Sequence, residues 1–351
     1  MKRLALISFT QRGGRLCAQL EQALTLQGFY CEAYGNKKYA KTQGIRPMEQ
    51  GLEGWVGDMF GRMEGLLFIG AAGIAVRGIA PFLRGKDQDP AVVVMDEKGM
   101  FAISLLSGHL GGANELAGTL ANLTGAIPVI TTATDVNGRF AVDLFAKKQN
   151  LYISSLPCAK AVSADVLEEL PVGLLSDFPV LGQIPEELQI VEERTPFEGN
   201  SGIVIALNEE RSPFAQTLHL IPRLVTIGIG CRRGTKKEQI EQAVMNALRA
   251  HHISIHGVEQ AATIDLKSGE PGLLEFVQVY GLKLAVYSAE ELAAVEGTFT
   301  PSSFVQEVTG VDNVCERSAV LASGGHLIQK KKGGDGVTVA LAIRDWSVDF
   351  E

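Results

Sequence analysis

Residues Leu105–Leu116 read LLSGHLGGANEL, and Thr131–Asp135 read TTATD. The first stretch places a hydroxyl, an imidazole, three glycines, an amide and a carboxylate between two apolar segments. Val92–Val94 and Phe101–Leu106 ahead of it have the texture of strands, and Glu115–Leu123 behind it reads as a helix. Glycines at such a junction free backbone N–H groups to face a ligand's oxygens, and the helix start adds its positive dipole end. Open α/β folds place their sites at the mouth of such a sheet. The same glycines would also serve a plain helix-capping turn.

Working outward, strands and helices alternate. Arg3–Phe9, Phe29–Ala33, Leu66–Ile69, Val92–Met95, Phe101–Leu105 and Ile127–Ile130 read as strands, Gly14–Gln27 and Phe140–Lys148 as helices. Asp96–Gly99 (DEKG) is a turn that makes two of the strands a hairpin. Beyond Leu151 the texture changes. Prolines at 157, 171, 179, 185, 196, 213 and 222 punctuate short elements, with a helix at Ala164–Leu170 and strands at Val172–Leu175 and Ile203–Leu207. From Val225 the alternation resumes, with helices at Lys237–Ala250 and Cys315–Ala322 and closing strands at His326–Gln329 and Val337–Ile343. The expectation is a multidomain α/β protein with mostly parallel sheets and flanking helices. Its modules are residues 1–150, 151–222 and 223–351.

The chain has 351 residues, 46% hydrophobic and 21% charged, an ordinary globular balance. No apolar run is long enough to span a bilayer, and MKRLALISFT reads as a first strand rather than a signal sequence. The five cysteines are scattered and lack CxxC spacing, which argues against a disulfide framework or a cysteine-built metal site. A reducing cytoplasm is expected. A net charge of −8 argues against nucleic acid as a partner. Local positive patches persist at Arg232–Arg233 with Lys236–Lys237, and at Lys330–Lys332.

Candidate chemistry follows from residue type. His109 lies in a loop rather than on an apolar helix face, and an imidazole suits proton transfer near neutral pH. It is the first candidate for a general base. Glu115 follows six residues on, either to orient the imidazole or to favour the helix dipole. Asp135 is the alternative base, at the mouth of the next strand. Ser107, Gly108, Gly111, Gly112, Asn114, Thr131 and Thr132 are candidate binding residues around them, with Asn114 equally readable as an N-cap. GAAGIAVR (Gly70–Arg77) lacks GxGxxG spacing and a Walker lysine, so a nucleotide site is disfavoured, although Gly73 and Arg77 could meet a carboxylate. In the third module Arg232, in GIGCRRGT, and Lys267, after a strand, are further candidates, as is Lys330. Cys231 has no neighbouring histidine in sequence and is not expected to be a nucleophile.

LLSGHLGGANELA, with GAAGIAVRGIAPFLRGKDQDPAVVVMDEKGMFAISLLSGH upstream and PVITTATDVNGRFAVD downstream, closely resembles the N-terminal part of the cobalt-precorrin-5A hydrolases. The resemblance resumes at Thr226–Thr235, Thr263–Phe276, Gly310–Ser323 and Gly336–Ile343. It implies a cytoplasmic enzyme of anaerobic cobalamin biosynthesis that opens the δ-lactone of cobalt-precorrin-5A. Acetaldehyde leaves, and cobalt-precorrin-5B remains. It implies no protein-bound metal or cofactor, because cobalt travels inside the substrate. The positive patches and Arg77 would then pair with the macrocycle's carboxylates. A corrinoid carrier without activity is the alternative, and a homodimer is left open.

Overall fold

The computed structural model describes residues 2–85, 88–109, 111–192 and 197–351. Lys86, Asp87 and Leu110 of the family-like segments, and Pro196, lie outside the described residues. The chain divides into two units, Met1–Leu144 and Phe145–Glu351.

The first unit is a seven-stranded sheet built from β1 (Arg3–Ser8), β2 (Tyr30–Gly35), β3 (Arg46–Pro47), β4 (Gly65–Ile69), β5 (Ala91–Met95), β6 (Phe101–Leu106) and β7 (Ile127–Val129). The spatial order is β3-β2-β1-β4-β5-β6-β7. Its helices are α1 (Gln11–Leu26), α2 (Lys37–Gln43), α3 (Gly51–Arg62), α4 (Ala72–Ile79), α5 (Ala113–Thr124) and α6 (Ala133–Val136), and it holds the first turn of α7 (Val142–Lys148). The central strands are apolar throughout because both faces are covered. Leu4, Leu6, Leu67, Ile69, Val93 and Met95 point to one face, against Leu20 and Leu24 of α1 and Leu116, Ala117 and Leu120 of α5. The alternate residues Ala5, Ile7, Leu66, Phe68, Val92 and Val94 meet Trp55, Val56 and Met59 of α3 and Ala75 and Ile79 of α4.

One reversal positions everything that follows. The Asp96–Gly99 turn makes β6 antiparallel to β5, and β7 then runs parallel to β6. The carboxyl ends of β6 and β7 therefore share a sheet edge with the amino ends of β1, β4 and β5. Lys2, just before β1, pairs with Glu115 of α5 at 2.7 Å across that edge. The carboxyl ends of β1 and β4 lie at the opposite edge, about 16 Å away for five-residue strands.

The second unit carries two five-stranded sheets. The first uses β8 (Leu151–Ile153), β9 (Val172–Ser176), β11 (Leu188–Ile190), β12 (Ser201–Ile205) and β13 (Gln216–Pro222), in the order β11-β9-β12-β13-β8. A helix α8 (Leu156–Leu167) lies on it, earlier than the predicted Ala164–Leu170. Pro157 does not break this helix. It falls in the first turn, where no N–H is missed, behind a Ser155 cap that accepts from Cys158 N–H.

The second sheet uses β14 (Val225–Cys231), β15 (Val258–Ile264), β16 (Lys283–Tyr287), β17 (His326–Gly334) and β18 (Val337–Ile343), in the order β16-β15-β14-β18-β17. It is flanked by α9 (Lys237–Ala250), α10 (Pro271–Val279), α11 (Ala289–Ala293), α12 (Ser303–Thr309) and α13 (Cys315–Ser323). Gly228 is obligatory there, since a Cβ would sit 1.8 Å from the Cys315 carbonyl oxygen of α13. A short pair, β10 (Val180–Leu181) with β19 (Val348–Asp349), and the Tyr152–His256 ring stack tie the two sheets into one unit. Among the described residues no helix is long and apolar enough to cross a membrane.

Candidate active site

His109 and Asp135 meet at the carboxyl ends of β6 and β7. The imidazole Nε2 lies 2.5 Å from Asp135 Oδ2. The same carboxylate oxygen accepts from the Thr132 hydroxyl at 2.5 Å and from Asn114 Nδ2 at 3.1 Å. Asn114 Nδ2 also donates to Thr132 Oγ1, and Thr134 Oγ1 lies 3.2 Å from Nε2. Nδ1 faces Asp143 Oδ2 at 3.1 Å. The Asp143 carboxylate is itself held by the Leu144 N–H on Oδ1. One imidazole is thus gripped by a carboxylate on each nitrogen.

The electrostatic consequence is large. The hydrogen bond that the ring donates to Asp143 is the main influence that pushes the His109 pKa up to about 9, against the opposing effect of burial, with Asp135 adding to the rise. Burial acts to raise both aspartates, yet their hydrogen bonds win. Thr132 and His109 hold the Asp135 carboxyl below its ordinary value, and His109 does the same for Asp143. At neutral pH the cluster is an imidazolium between two carboxylates. A protonated ring has no lone pair to offer, so His109, the general base expected from the sequence, can act as one only after it has given up that proton.

The loop glycines act sterically. Gly112 N–H is consumed by the His109 carbonyl at 2.9 Å, and the amides of Ala113 and Asn114 close onto Ser107 and Gly108. These amides are therefore turned inward, not toward a ligand. Gly112 caps α5 with φ +88°. A Cβ on Gly111 would come within 2.4 Å of Ser107 Cβ, and one on Gly108 within 2.8 Å of Asn114 Oδ1. Ser107 holds φ +56°, uncommon for a residue with a side chain. The Ser107 hydroxyl and Asn114 Oδ1 are buried and have no hydrogen-bond partner among the described residues. Asn114 is thus no N-cap; its amide spans Thr132 and Asp135.

The remaining sequence candidates lie elsewhere. Glu115 points to Lys2 with its side chain 63% exposed, and the carboxylate that faces His109 Nδ1 is that of Asp143. Thr131 is exposed at the end of β7. Gly73 opens α4 at the other sheet edge and the exposed Arg77 follows on the same helix, across the sheet from α5, so neither joins His109 within this unit. In the second unit Arg232 is exposed after β14, and Lys330 is exposed on β17. Lys267 donates to Glu270 Oε1 at 2.9 Å, and Glu270 Oε2 accepts from Gly234 N–H at 3.0 Å. That lysine closes a loop, and its charge is already answered. Burial raises the Cys231 thiol pKa, which disfavours a thiolate.

Asp143 was not singled out from the sequence. It lies eight residues beyond Asp135, in the first turn of α7, where an acidic residue reads as ordinary helix-dipole compensation.

A folded α/β sheet with a partly buried, carboxylate-clamped histidine at a strand mouth has the make-up of an acid–base site. Three family models match: Cobalamin synthesis G N-terminal over residues 54–135, Cobalamin biosynthesis central region over 140–222, and Cobalamin synthesis G C-terminus over 225–342. The chain is 35% identical to a cobalt-precorrin-5A hydrolase of Salmonella typhimurium, over 97% of each chain. It is 33% identical to one of Priestia megaterium, over 97% of this chain and 95% of that one. A protein named CobE from Sinorhizobium sp is 29% identical over 34% of this chain and 79% of its own. The chain belongs to the cobalt-precorrin-5A hydrolase family. Its histidine cluster draws on two of the matched regions, His109 and Asp135 on the first and Asp143 on the second.

Proposed function

We propose that this chain hydrolyses cobalt-precorrin-5A, opening its δ-lactone and releasing acetaldehyde, with the His109 cluster as the reacting centre. The observation that carries the placement is an imidazolium clamped by Asp135 and Asp143 beside the unfilled Ser107 hydroxyl and Asn114 Oδ1. Buried polar atoms without partners cost stability unless a ligand supplies them.

Water attacks the lactone carbonyl while the Asp135 carboxylate takes one of its protons. As the tetrahedral intermediate collapses, the C–O bond to the two-carbon arm breaks. The imidazolium delivers its Nε2 proton to the departing alkoxide. His109 is now neutral, and it can remove the proton of the freed hydroxyl. The arm's C–O bond becomes a carbonyl, its C–C bond to the macrocycle breaks, and acetaldehyde leaves. The electron pair passes into the conjugated macrocycle, which takes up the proton from Asp135. His109 ends as the imidazolium, and Asp135 as the carboxylate. Cobalt arrives within the substrate, and no further cofactor is assigned. The Ser107 hydroxyl and Asn114 carbonyl are assigned to substrate contact.

The test is incubation with cobalt-precorrin-5A and an acetaldehyde assay. Stoichiometric acetaldehyde together with conversion of the macrocycle supports the reading. Tight binding of the macrocycle without acetaldehyde would replace it with the carrier.

A further inference from the structure

We propose that Asp143 is a positioning residue for the lactone-opening reaction, holding the Nδ1–H of His109 so that Nε2 alone exchanges the proton with substrate. The proposal rests on the hydrolase reading above and assigns a task to a residue that touches no reacting atom.

The geometry carries it. An imidazole has two nitrogens, and a proton relay needs one fixed and one free to exchange. Asp143 Oδ2 lies 3.1 Å from Nδ1, and the Leu144 N–H pins Oδ1 at 3.0 Å, so the carboxylate has little freedom to turn away. Its place in the first turn of α7 also sets the negative charge at that helix's positive end. On the other side, Asp135 Oδ2 faces Nε2 while gathering Thr132 and Asn114. Asp135 therefore sits with hydroxyl and amide groups, among them the one with an unfilled acceptor. Asp143 Oδ2 instead faces His109, and its Oδ1 accepts from the neighbouring Leu144 N–H. The two carboxylates are consequently unequal. One belongs to the exchanging side of the ring and the other to its anchor.

Asp143 and Asp135 are the charged groups that raise the His109 pKa most. Removing the Asp143 charge should leave the neutral ring more populated near pH 7. It would also let the proton settle on either nitrogen. The first, acidic step then slows, because the neutral ring has no proton to give on the correct side.

The decisive experiment compares Asp143→Asn, Asp143→Glu and wild type by three readouts. These are steady-state acetaldehyde release from cobalt-precorrin-5A, the pH profile of kcat, and titration of the His109 ring by nitrogen-15 NMR without substrate. Asp143→Asn should lower kcat about a hundredfold with KM changed less than threefold. The His109 titration should move down toward its ordinary range, and the basic limb of the profile should move with it. Asp143→Glu should recover much of kcat. In the double variant His109→Ala/Asp143→Asn the loss should be no larger than for His109→Ala alone, since residues acting through one another are not additive.

Near-normal kcat for Asp143→Asn, or a loss that multiplies with that of His109→Ala, would overturn the assignment. If wild type releases no acetaldehyde, the hydrolase reading fails instead. The NMR titration still decides whether Asp143 governs the ring, and an unmoved His109 titration in Asp143→Asn refutes that on its own. Should Asp143→Asn fail to fold, Asp143→Glu carries the same test through its intermediate titration and rate.

Discussion

Two glycine loops, one in each unit, look alike in sequence and differ in the structure. SGHLGGAN follows β6 and opens α5; GCRRGT ends β14 and leads to α9. Both pair glycines with ionisable residues at a strand's carboxyl end. In the second the contacts are internal: Glu270 takes Lys267 on one oxygen and Gly234 N–H on the other, while the Thr235 hydroxyl returns to the Arg232 carbonyl. In the first, two carboxylates from outside the loop converge on one ring, and among the described residues the Ser107 hydroxyl and Asn114 Oδ1 have no partner. One loop is sewn shut and the other holds uncompensated chemistry. What separates them is which distant residues arrive, and loop composition does not show that.

The largest effect that can break this contrast is on His109. His109→Ala should reduce acetaldehyde release at least about a hundredfold, the scale of a lost acid–base group, with substrate affinity changed much less. Turnover near that of wild type would move the chemistry away from the first loop altogether.

The pH dependence sharpens the same point. Because the folded His109 is pushed up to about 9 from 6.5, the cluster's contribution to stability is fully present below pH 6.5 and fades as pH rises through 9. The lowered carboxyls of Asp135 and Asp143 act in the opposite sense. Their contribution is present above the ordinary carboxylate range and is lost as acid protonates them. Melting of wild type should therefore show a plateau between roughly pH 5 and 6.5. Relative to it, His109→Ala should lose the alkaline decline in Tm between pH 7 and 10. An unchanged alkaline limb would mean that the ring is not charged in the folded protein.

How far the first loop was legible from sequence follows from distance along the chain. His109 and Asn114 lie within one loop, and Thr132 with Asp135 within one motif, so their residue types and strand-to-helix positions were enough to select them. Asp143 was hidden because an aspartate early in a helix has a local explanation that hides its contact with His109. Glu115 shows the converse. It is close in sequence, but the helix turns it toward Lys2. The DEKG hairpin is legible as well, but which end of the sheet it brings His109 to is not a local property. Reversing β6 carries His109 to the edge opposite Gly73, and α4 lies across the sheet from α5, which separates the histidine from Arg77. Pairing order is a long-range property, and local patterning specifies each strand without saying which end will face which.

The smallest effects belong to the charged residues whose partners are within the fold. Lys267→Gln removes one half of a mostly buried pair, leaving Glu270, only 10% exposed, with Gly234 N–H alone. The cost should be about 1 to 3 kcal/mol in unfolding of the second unit, the penalty of a carboxylate left short of a partner, with KM for the macrocycle changed less than twofold. A several-fold rise in KM at unchanged Tm would instead make Lys267 a substrate contact and open the second loop. Glu115→Gln should do less still. Its bridge to Lys2 is exposed on both sides and is worth at most about 1 kcal/mol, screened by moderate salt. Turnover should stay within about twofold of wild type, because the carboxylate that orients His109 comes from α7. A hundredfold loss on Glu115→Gln would reinstate it as the orienting group, and the clamp from Asp143 would no longer explain why the first loop differs from the second.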